Sequence, residues 1–186
     1  MRVIAGTARG IRLQAVPGTT TRPISDRVKE ALFSILGESL VGARFLDLFA
    51  GTGSVGIEAL SRGASEAVFV DSEARALTTI RVNLAHTRLE AGARLVHSDA
   101  FKYLGRTPGP FDFVYVAPPQ YRALWSRTLQ AIDANPSCLD PGGQVIVQVF
   151  PKEFEPTHLA SLALADQRRY GSTLLCFFLP TPRPGE

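Results

Sequence analysis

The chain reads FLDLFAGTGSVGIE over residues 45–58, where an apolar strand pattern leads through a glycine loop into a helical pattern. Gly51, Gly53 and Gly56 have the G-x-G-x-x-G spacing that lets a backbone turn tightly, approach a ligand and pack the next helix against a sheet. A carboxylate, Asp47, precedes the loop, and it would repel a pyrophosphate at the end of the strand. The stretch therefore predicts a site for a nucleotide-like ligand that is cationic.

The remaining hydrophobic pattern predicts an α/β sheet of the Rossmann kind around this loop. Apolar runs at residues 44–48, 67–70, 94–96, 111–116, 144–149 and 173–179 are typical of strands buried on both faces. Helical patterns at 55–62, 74–84 and 121–132 alternate with these runs. Such alternation places helices on both faces of a mostly parallel sheet.

The acids in this pattern point to S-adenosyl-L-methionine, which carries an ammonium and a sulfonium and has no phosphate. Asp71 ends the second strand, where a carboxylate can accept hydrogen bonds from ribose hydroxyls. Asp99 follows the third strand and is placed to meet an adenine edge. Either acid could instead cap the helix that follows it. With their neighbours, the predicted cofactor-binding residues are Asp47, Phe49, Gly51, Gly53, Asp71, Ser72, Asp99 and Ala100.

Length and composition predict one core domain with a short appendage. The chain has 186 residues, of which 45% are hydrophobic, so it can bury a sizeable interior. It has no apolar run of the ~20 residues that a bilayer requires and no start resembling a signal peptide. We therefore expect a soluble, cytoplasmic protein without a membrane partner. The three histidines are scattered and the two cysteines lack metal-type spacing, so no metal site is predicted.

Positive charge is concentrated at the start of the chain. Residues 1–30 hold six basic and two acidic residues, whereas the rest holds 14 basic and 15 acidic residues. Such a basic segment would suit the phosphates of a nucleic acid. The predicted RNA-binding residues are Arg2, Arg9, Arg12, Arg22 and Arg27. The alternative interpretation is a solvated basic extension that has no partner.

Two local patterns predict how this segment folds. Residues 2–5 and 11–16 are typical of two short strands that form a hairpin around residues 6–10. Ser25 and Asp26 are plausible starting residues for the helix that follows. Its predicted core face has helical spacing and consists of Val28, Ala31, Leu32, Ile35 and Leu36.

The fourth predicted strand ends in Ala117-Pro118-Pro119-Gln120-Tyr121, which resembles the strand-end motif of methyltransferases that modify exocyclic amines of bases. Further matching stretches are GTARG at 6–10, TRP at 21–23, DRVKEALF at 26–33, LDLFAGTG at 46–53 and GIEALSRGA at 56–64. With these stretches, the chain is similar to the bacterial 16S ribosomal RNA guanine-N2 methyltransferases of the small-subunit methyltransferase D type. The resemblance covers residues 2–179.

The resemblance implies methyl transfer from S-adenosyl-L-methionine to the exocyclic N2 amine of one guanosine. The substrate would be 16S rRNA, either naked or assembled in the small ribosomal subunit. We expect a basic hairpin and helix extension at residues 1–40, a methyltransferase domain at 41–179 and a disordered tail at 180–186.

Two positions depart from the motif of that family. Ala117 stands where the family usually has Asp or Asn, and Gln120 stands where it has Tyr or Phe. A guanine amine is a poor nucleophile, so acceptors near it must hold it in line with the methyl group. Ala117 supplies no acceptor, which leaves the Pro118 carbonyl and the Gln120 carboxamide. Losing one hydrogen bond to a charged group costs roughly 1.5–3 kcal/mol, on the order of tenfold to a hundredfold in rate.

The sequence thus predicts weakened catalysis rather than none. Tyr121 lies one place late in the motif, where it could serve as a platform for an extruded base or pack on the edge of the sheet. Trp125 is expected to pack more than to contact a base. The predicted catalytic residues are Ala117, Pro118, Pro119, Gln120 and Tyr121.

Other functions compete with this prediction. One is amino methylation of adenine in DNA, which uses the same strand-end motif but needs room for a target-recognition domain that this chain lacks. Another is an adenosylmethionine-binding module that has lost catalysis, which Ala117 and Gln120 favour. A nicotinamide-dependent oxidoreductase is disfavoured by Asp47.

Overall fold

The computed structural model describes residues 1–18, 24–106, 109–120 and 123–181. Its strands are β1 (Arg44–Asp47), β2 (Glu66–Asp71), β3 (Ala93–His97), β4 (Phe111–Val116), β5 (Leu139–Val149), β6 (Leu162–Tyr170) and β7 (Thr173–Pro180). They form a seven-stranded sheet in the order β3-β2-β1-β4-β5-β7-β6. Strands β1 to β5 run parallel, and β7 is antiparallel to both β5 and β6.

The helices are α1 (Asp26–Leu36), α2 (Ser54–Ser61), α3 (Ala74–Thr87), α4 (Ala100–Leu104) and α5 (Leu124–Asp133). Short 3-10 helices occupy Gly37–Leu40, Glu90–Gly92 and Pro136–Cys138. None of the helices in the described part of the chain is long and apolar enough to cross a membrane. The predicted Rossmann-like α/β class is confirmed.

Two hydrophobic cores lie on opposite faces of the sheet, because successive strand residues point to opposite sides. Phe45 and Phe69 belong to the core covered by α1, α2 and α3. Leu46 and Val68 belong to the core covered by α4 and α5. Burial on both faces explains why the strands read as continuous apolar runs.

Residues 1–18, called here the N-terminal arm, pack into the first of these cores. Val3, Ala8 and Leu13 are buried there. The arm differs from the predicted hairpin, because its two halves meet in a single antiparallel bridge between Arg2 and Arg12 rather than in two strands. The physical reason is that several of its backbone groups bond to helix side chains instead of to each other.

Helix α1 begins where predicted, with Ser25 as its N-cap, but its buried face is rotated. Ile35 is 43% exposed, and the buried residues are Val28, Lys29, Leu32, Phe33 and Leu36. A buried lysine was not foreseen. It is accommodated because its ammonium lies 3.2 Å from the Glu58 carboxylate and donates to the Arg2 carbonyl at 2.7 Å.

The second half of the chain departs from the sequence-based expectation at four points. Strand β6 was not predicted, and β5 begins at Leu139, with irregular pairing to β4 before Gln144. Helix α5 begins at Leu124 rather than at 121. The expected tail begins inside β7, which runs to Pro180, and its residues 182–186 lie outside the described residues.

Candidate active site

A cavity with a volume of about 660 Å³ lies at the carboxyl ends of the parallel strands. Strand β1 is flanked there by β2 on one side and β4 on the other. In open α/β sheets this reversal of strand order is where ligands bind. The cavity is lined by the glycine loop after β1 and by residues that follow β2, β3 and β4.

The glycine loop is shaped by two positive φ angles. Gly51 has φ +53° and Gly53, the N-cap of α2, has φ +75°, a region that L-residues with a side chain seldom adopt. The third glycine serves packing, because a Cβ at Gly56 would lie 2.4 Å from the Phe69 ring. The loop is also fixed by Asp71, whose Oδ2 accepts from the Gly51 amide at 2.8 Å.

Asp47 is the most deeply buried acid at this edge, with 1% of its surface exposed. Its Oδ2 accepts a hydrogen bond of 3.2 Å from the Gly56 amide in the first turns of α2. The pKa of Asp47 is raised to about 7, chiefly by burial, with a smaller contribution from the nearby Asp71 and an opposing effect of the Gly56 hydrogen bond. A cation placed in the cavity would stabilise the ionised form of this carboxyl.

The other predicted acids have structural partners and still line the cavity. Asp71 Oδ1 accepts from the Glu73 amide at 2.9 Å. Asp99 caps α4, because its Oδ1 accepts from the Phe101 and Lys102 amides. Capping was an alternative for both acids, and of the two only Asp99 caps the helix that follows it, since the N-cap of α3 is Glu73. Capping leaves Asp99 in the cavity wall, where a ligand can still meet its free lone pairs.

Seven of the eight predicted cofactor-binding residues line this one cavity: Asp47, Phe49, Gly51, Asp71, Ser72, Asp99 and Ala100. Gly53 is not part of the lining, and it faces Ile80 of α3 instead. Glu73 adds a fourth carboxylate to the wall, and none of the described lining residues is lysine or arginine. The arrangement suits a ligand with positive charge and disfavours a phosphate.

The N-terminal arm contributes a wall of the same cavity, which sequence reasoning did not foresee. Ala15 and Val16 line it, as does Ile24 ahead of α1. The side chain of Asn83 fixes this wall, since it bonds to both the amide and the carbonyl of Gln14 and donates to the Thr52 carbonyl at 2.9 Å. The buried side-chain carboxamide of Asn83 therefore joins the arm to the glycine loop.

Glu58 of α2, which is fully buried, also connects the arm to the helices. Its carboxylate accepts from the Ile4 and Ala5 amides at 2.8 and 2.9 Å and pairs with Lys29 and Arg62. Burial lowers the pKa of Lys29, and the neighbouring Glu58 opposes that effect. The charges satisfy each other inside the core, so the arm is held in a defined position beside the site.

The strand-end motif borders a second cavity of about 290 Å³. Pro118 and the exposed Gln120 line the second cavity but not the first. Ala117, Pro119 and Gln148 line both cavities. Tyr121 lies outside the described residues. The two cavities therefore meet at a wall built by Ala117, Pro119 and Gln148, called here the shared wall.

Trp125 lies at the far side of the second cavity. It is 4% exposed and stacks on Phe154 with ring centroids 5.4 Å apart. Packing is thus its observed contact, although the residue also lines the cavity.

Gln148 was missed by sequence reasoning, although a signal for it exists. It interrupts the apolar run Val145-Ile146-Val147-Gln148-Val149 at the carboxyl end of a buried strand. The Tyr115 hydroxyl donates to Gln148 Oε1 at 2.6 Å. A polar side chain at the carboxyl end of a strand in an open sheet is a candidate for ligand contact.

Four of the five predicted RNA-binding arginines are described, and they lie at the surface of the arm and of α1. Arg2 and Arg12 face each other across the antiparallel bridge, so their side chains share one side. Arg2 pairs with Asp26 at 3.2 Å, and Arg9, Arg12 and Arg27 are exposed. Arg22 lies outside the described residues.

Comparisons with known proteins agree with the observed fold. A family model described as Conserved hypothetical protein 95 matches residues 1–179. The Bacillus subtilis (strain 168) protein YlbH is 37% identical over 177 residues, which are 93% of this chain and 95% of that one. Ribosomal RNA small subunit methyltransferase D of Escherichia coli (strain K12) is 38% identical over 136 residues, which are 73% and 68% of the two chains. The solved structure of Escherichia coli yhhF has a TM-score of 0.86 at 32% identity and covers 97% of each chain.

Proposed function

The chain belongs to the Conserved hypothetical protein 95 family, whose model matches residues 1–179, and we propose that it methylates 16S rRNA. The methyl group comes from S-adenosyl-L-methionine and is transferred to the exocyclic N2 amine of a guanosine. One observation carries the proposal: an acid-lined cavity after β1 meets a smaller cavity at the proline motif across the shared wall.

Adenosylmethionine fits the first cavity by charge and by size. Asp47 would pair with a cationic group of the ligand, Asp71 would accept from its ribose hydroxyls, and Asp99 or the backbone at Ala100 would meet the adenine. All of these groups converge on one cavity of about 660 Å³, a size typical of sites for small ligands. Gly51 brings the loop backbone close, since it faces open space.

The protein must also hold the target amine in line with the methyl group. When bound, adenosylmethionine supplies the methyl group: the C–N bond forms as the C–S bond breaks, the electron pair stays on sulfur, and an amine proton passes to water. The Pro118 carbonyl would accept a hydrogen bond from the amine beside the shared wall. Trp125 and the prolines would exclude water from the second cavity.

The arm would hold the RNA by its phosphates. Arg9 and Arg12 are exposed on a segment that also contributes to the cofactor cavity. Positively charged side chains on a rigid segment can position a nucleic acid through its phosphates without recognising its sequence. This arrangement favours 16S rRNA, naked or in the small ribosomal subunit, as the partner.

A methyl-transfer assay tests the proposal. Tritiated adenosylmethionine is offered with small ribosomal subunits, naked 16S rRNA and duplex DNA, and the products are digested to nucleosides and separated by mass. We expect N2-methylguanosine from one of the two RNA substrates. Methyladenine from DNA would replace the proposal with DNA amino methylation.

A second candidate, a binding module without catalysis, is favoured by the absence of an acceptor side chain at Ala117. Assaying the parent beside Ala117→Asn separates the two. We expect an active parent and a changed rate in the variant, because an added acceptor modifies orientation that already exists. Activity that appears only in the variant would establish the binding module.

A further inference from the structure

Gln148 and Ala117 lie side by side at the carboxyl ends of β5 and β4. The parallel register pairs Val116 with Val147 and Tyr115 with Ile146. Tyr115 and Ile146 belong to the same core. Because alternate strand residues share a face, Ala117 and Gln148 project to the same side of the sheet. Both line the two cavities, which places the Gln148 carboxamide beside the Ala117 methyl.

The carboxamide is held in one orientation by Tyr115. The phenol hydroxyl donates to Gln148 Oε1 at 2.6 Å. Burial raises the pKa of Tyr115 well above its usual value, with a further contribution from Asp47, so the hydroxyl keeps its proton and remains a donor. A carboxamide oxygen has two lone pairs, and one hydrogen bond leaves the other available.

We propose that Gln148 supplies the hydrogen-bond acceptor that Ala117 lacks. Its Oε1 accepts from the exocyclic amine of the target base and orients that amine toward the methyl group. Gln148 is the catalytic residue in this arrangement, and Tyr115 is a positioning residue that acts through it. The inference rests on the proposed function, since it assigns the acceptor for the amine that is methylated.

The chemistry requires an acceptor here rather than a base. The amine develops positive charge as it is methylated, so a fixed oxygen dipole beside it lowers the barrier without taking the proton. A carboxamide cannot ionise near neutral pH, and its oxygen is already aligned by the Tyr115 bond. The small Ala117 side chain leaves the shared wall open to the longer Gln148 side chain.

The first test compares Gln148→Met with Gln130→Met, a matched change at an exposed position of α5. Methionine keeps the length of the side chain and removes the acceptor. We expect single-turnover methylation to fall about ten- to a hundredfold in Gln148→Met and to stay at the parental rate in Gln130→Met. The calorimetric Kd for adenosylhomocysteine and the melting temperature should match the parent in both variants.

Tyr115→Phe and Gln148→Glu test the positioning role and provide alternatives if Gln148→Met does not fold. Tyr115→Phe removes only the hydroxyl, so its rate should lie between those of the parent and Gln148→Met. Gln148→Glu retains acceptor oxygens and should keep more activity than the methionine variant. Ala117→Asn added to Gln148→Met should restore much of the lost rate, because it returns an acceptor to the neighbouring position of the shared wall.

A binding experiment gives a readout apart from turnover. The guanosine modified by the parent is mapped, and a short RNA carrying it is compared with the same RNA carrying inosine, which lacks the N2 amine. With adenosylhomocysteine present, the parent should bind the guanosine RNA roughly two- to tenfold more tightly, as expected for one hydrogen bond. In Gln148→Met this preference should be clearly smaller, and any part that remains is the contribution of the Pro118 carbonyl.

The outcomes distinguish the two proposals. A parent that methylates no guanosine overturns the proposed function and the role of Gln148 with it. A parent that methylates guanosine while Gln148→Met keeps both its rate and its preference for guanosine over inosine overturns only the role of Gln148. Equal loss of rate in Gln148→Met and Gln130→Met would also refute it, because the effect would then not depend on the shared wall.

Discussion

Folding favours the protonated form of the Asp47 carboxyl, whereas binding of a cationic ligand favours its ionised form. This carboxyl is 1% exposed, accepts one amide hydrogen bond from Gly56 and has a pKa raised to about 7. An acid with a raised pKa stabilises the fold when protonated, and this contribution is lost as the pH rises from about 4 through about 7. A cationic ligand removes the conflict because it pairs with the ionised form.

Asp47→Asn should therefore separate stability from binding. At pH 8 the cofactor-free variant should unfold with a free energy higher than that of the parent, by on the order of a few kcal/mol, because no carboxylate is forced to ionise in the core. Its affinity for adenosylmethionine should fall roughly ten- to a hundredfold. Denaturant unfolding and calorimetry measure both effects, with Asp166→Asn on β6 as the control.

Binding should also depend on pH in a defined direction. Between pH 6 and 8 the affinity for adenosylmethionine should rise and then level off above about 7, where Asp47 is ionised before the ligand arrives. Binding at pH 6 should release a proton, which calorimetry in buffers of different ionisation enthalpy detects. An affinity in the parent that is flat over this range would remove Asp47 from the role of cation partner.

Ala117 and Gln148 of the shared wall differ in how easily their roles can be recognised in the sequence. The proline motif is contiguous, so it was recognised along with the departure at Ala117. Gln148 lies 31 residues later and meets Ala117 only because β5 pairs with β4 in a particular register. Its roles in the wall and in the Tyr115 hydrogen bond follow from tertiary structure, which a local pattern does not contain.

At the scale of elements, prediction succeeded where a strand contains an apolar run and failed where it does not. Strands β1, β2 and β4 are buried on both faces and β3 is partly buried, and the apolar runs of all four were recognised. Strand β6 was missed because its residues are mostly exposed, with Leu162 buried and Leu164 44% exposed. The buried face of α1 was predicted correctly at Val28, Leu32 and Leu36, but an apolar count cannot include Lys29, whose charge is neutralised inside by Glu58.

The N-terminal arm should act in RNA binding while leaving the cofactor site intact. Replacing Arg9 and Arg12 with Ala should weaken RNA binding across sequences and flatten its salt dependence, because each phosphate contact releases counterions. Affinity for adenosylhomocysteine should stay unchanged, since Asn83 and Glu58 hold the arm by its backbone. Filter binding at several salt concentrations measures the effect.

The charge-matched control for that experiment is Arg168→Ala with Arg169→Ala. Both residues are exposed on β6, at the opposite edge of the sheet from β3. RNA affinity in this control should remain near that of the parent. Equal losses in the two double variants would mean that net charge, and not the arm, governs RNA binding.

At the scale of the whole molecule, the cofactor cavity joins distant parts of the chain. Its wall runs from Ala15 in the arm to Gln148 in β5. A ligand that fills it would contact the arm and the glycine loop, which Asn83 also joins. Ligand binding should therefore stabilise the fold as a unit rather than one loop.

A thermal shift measures this coupling and separates ligand classes. Adenosylhomocysteine at 100 times its Kd should add about 2.7 kcal/mol, which corresponds to a rise in melting temperature of roughly 5–10 °C for a chain of this size. NAD at the same concentration should leave the melting temperature unchanged, because its pyrophosphate meets four carboxylates in the wall. A larger shift with NAD would reverse the assignment of the cofactor.

The order of strands at the far edge of the sheet has a consequence for how the protein is made. Strand β7 lies between β5 and β6, although it follows both in the chain. During translation β6 leaves the ribosome before the strand that will connect it to the sheet. At about 5–20 residues per second, residues 162–180 are synthesised over roughly one to four seconds. The nascent sheet therefore closes at this edge only when the β6–β7 hairpin arrives whole, and a pause in translation between the two strands would leave β6 without a neighbour.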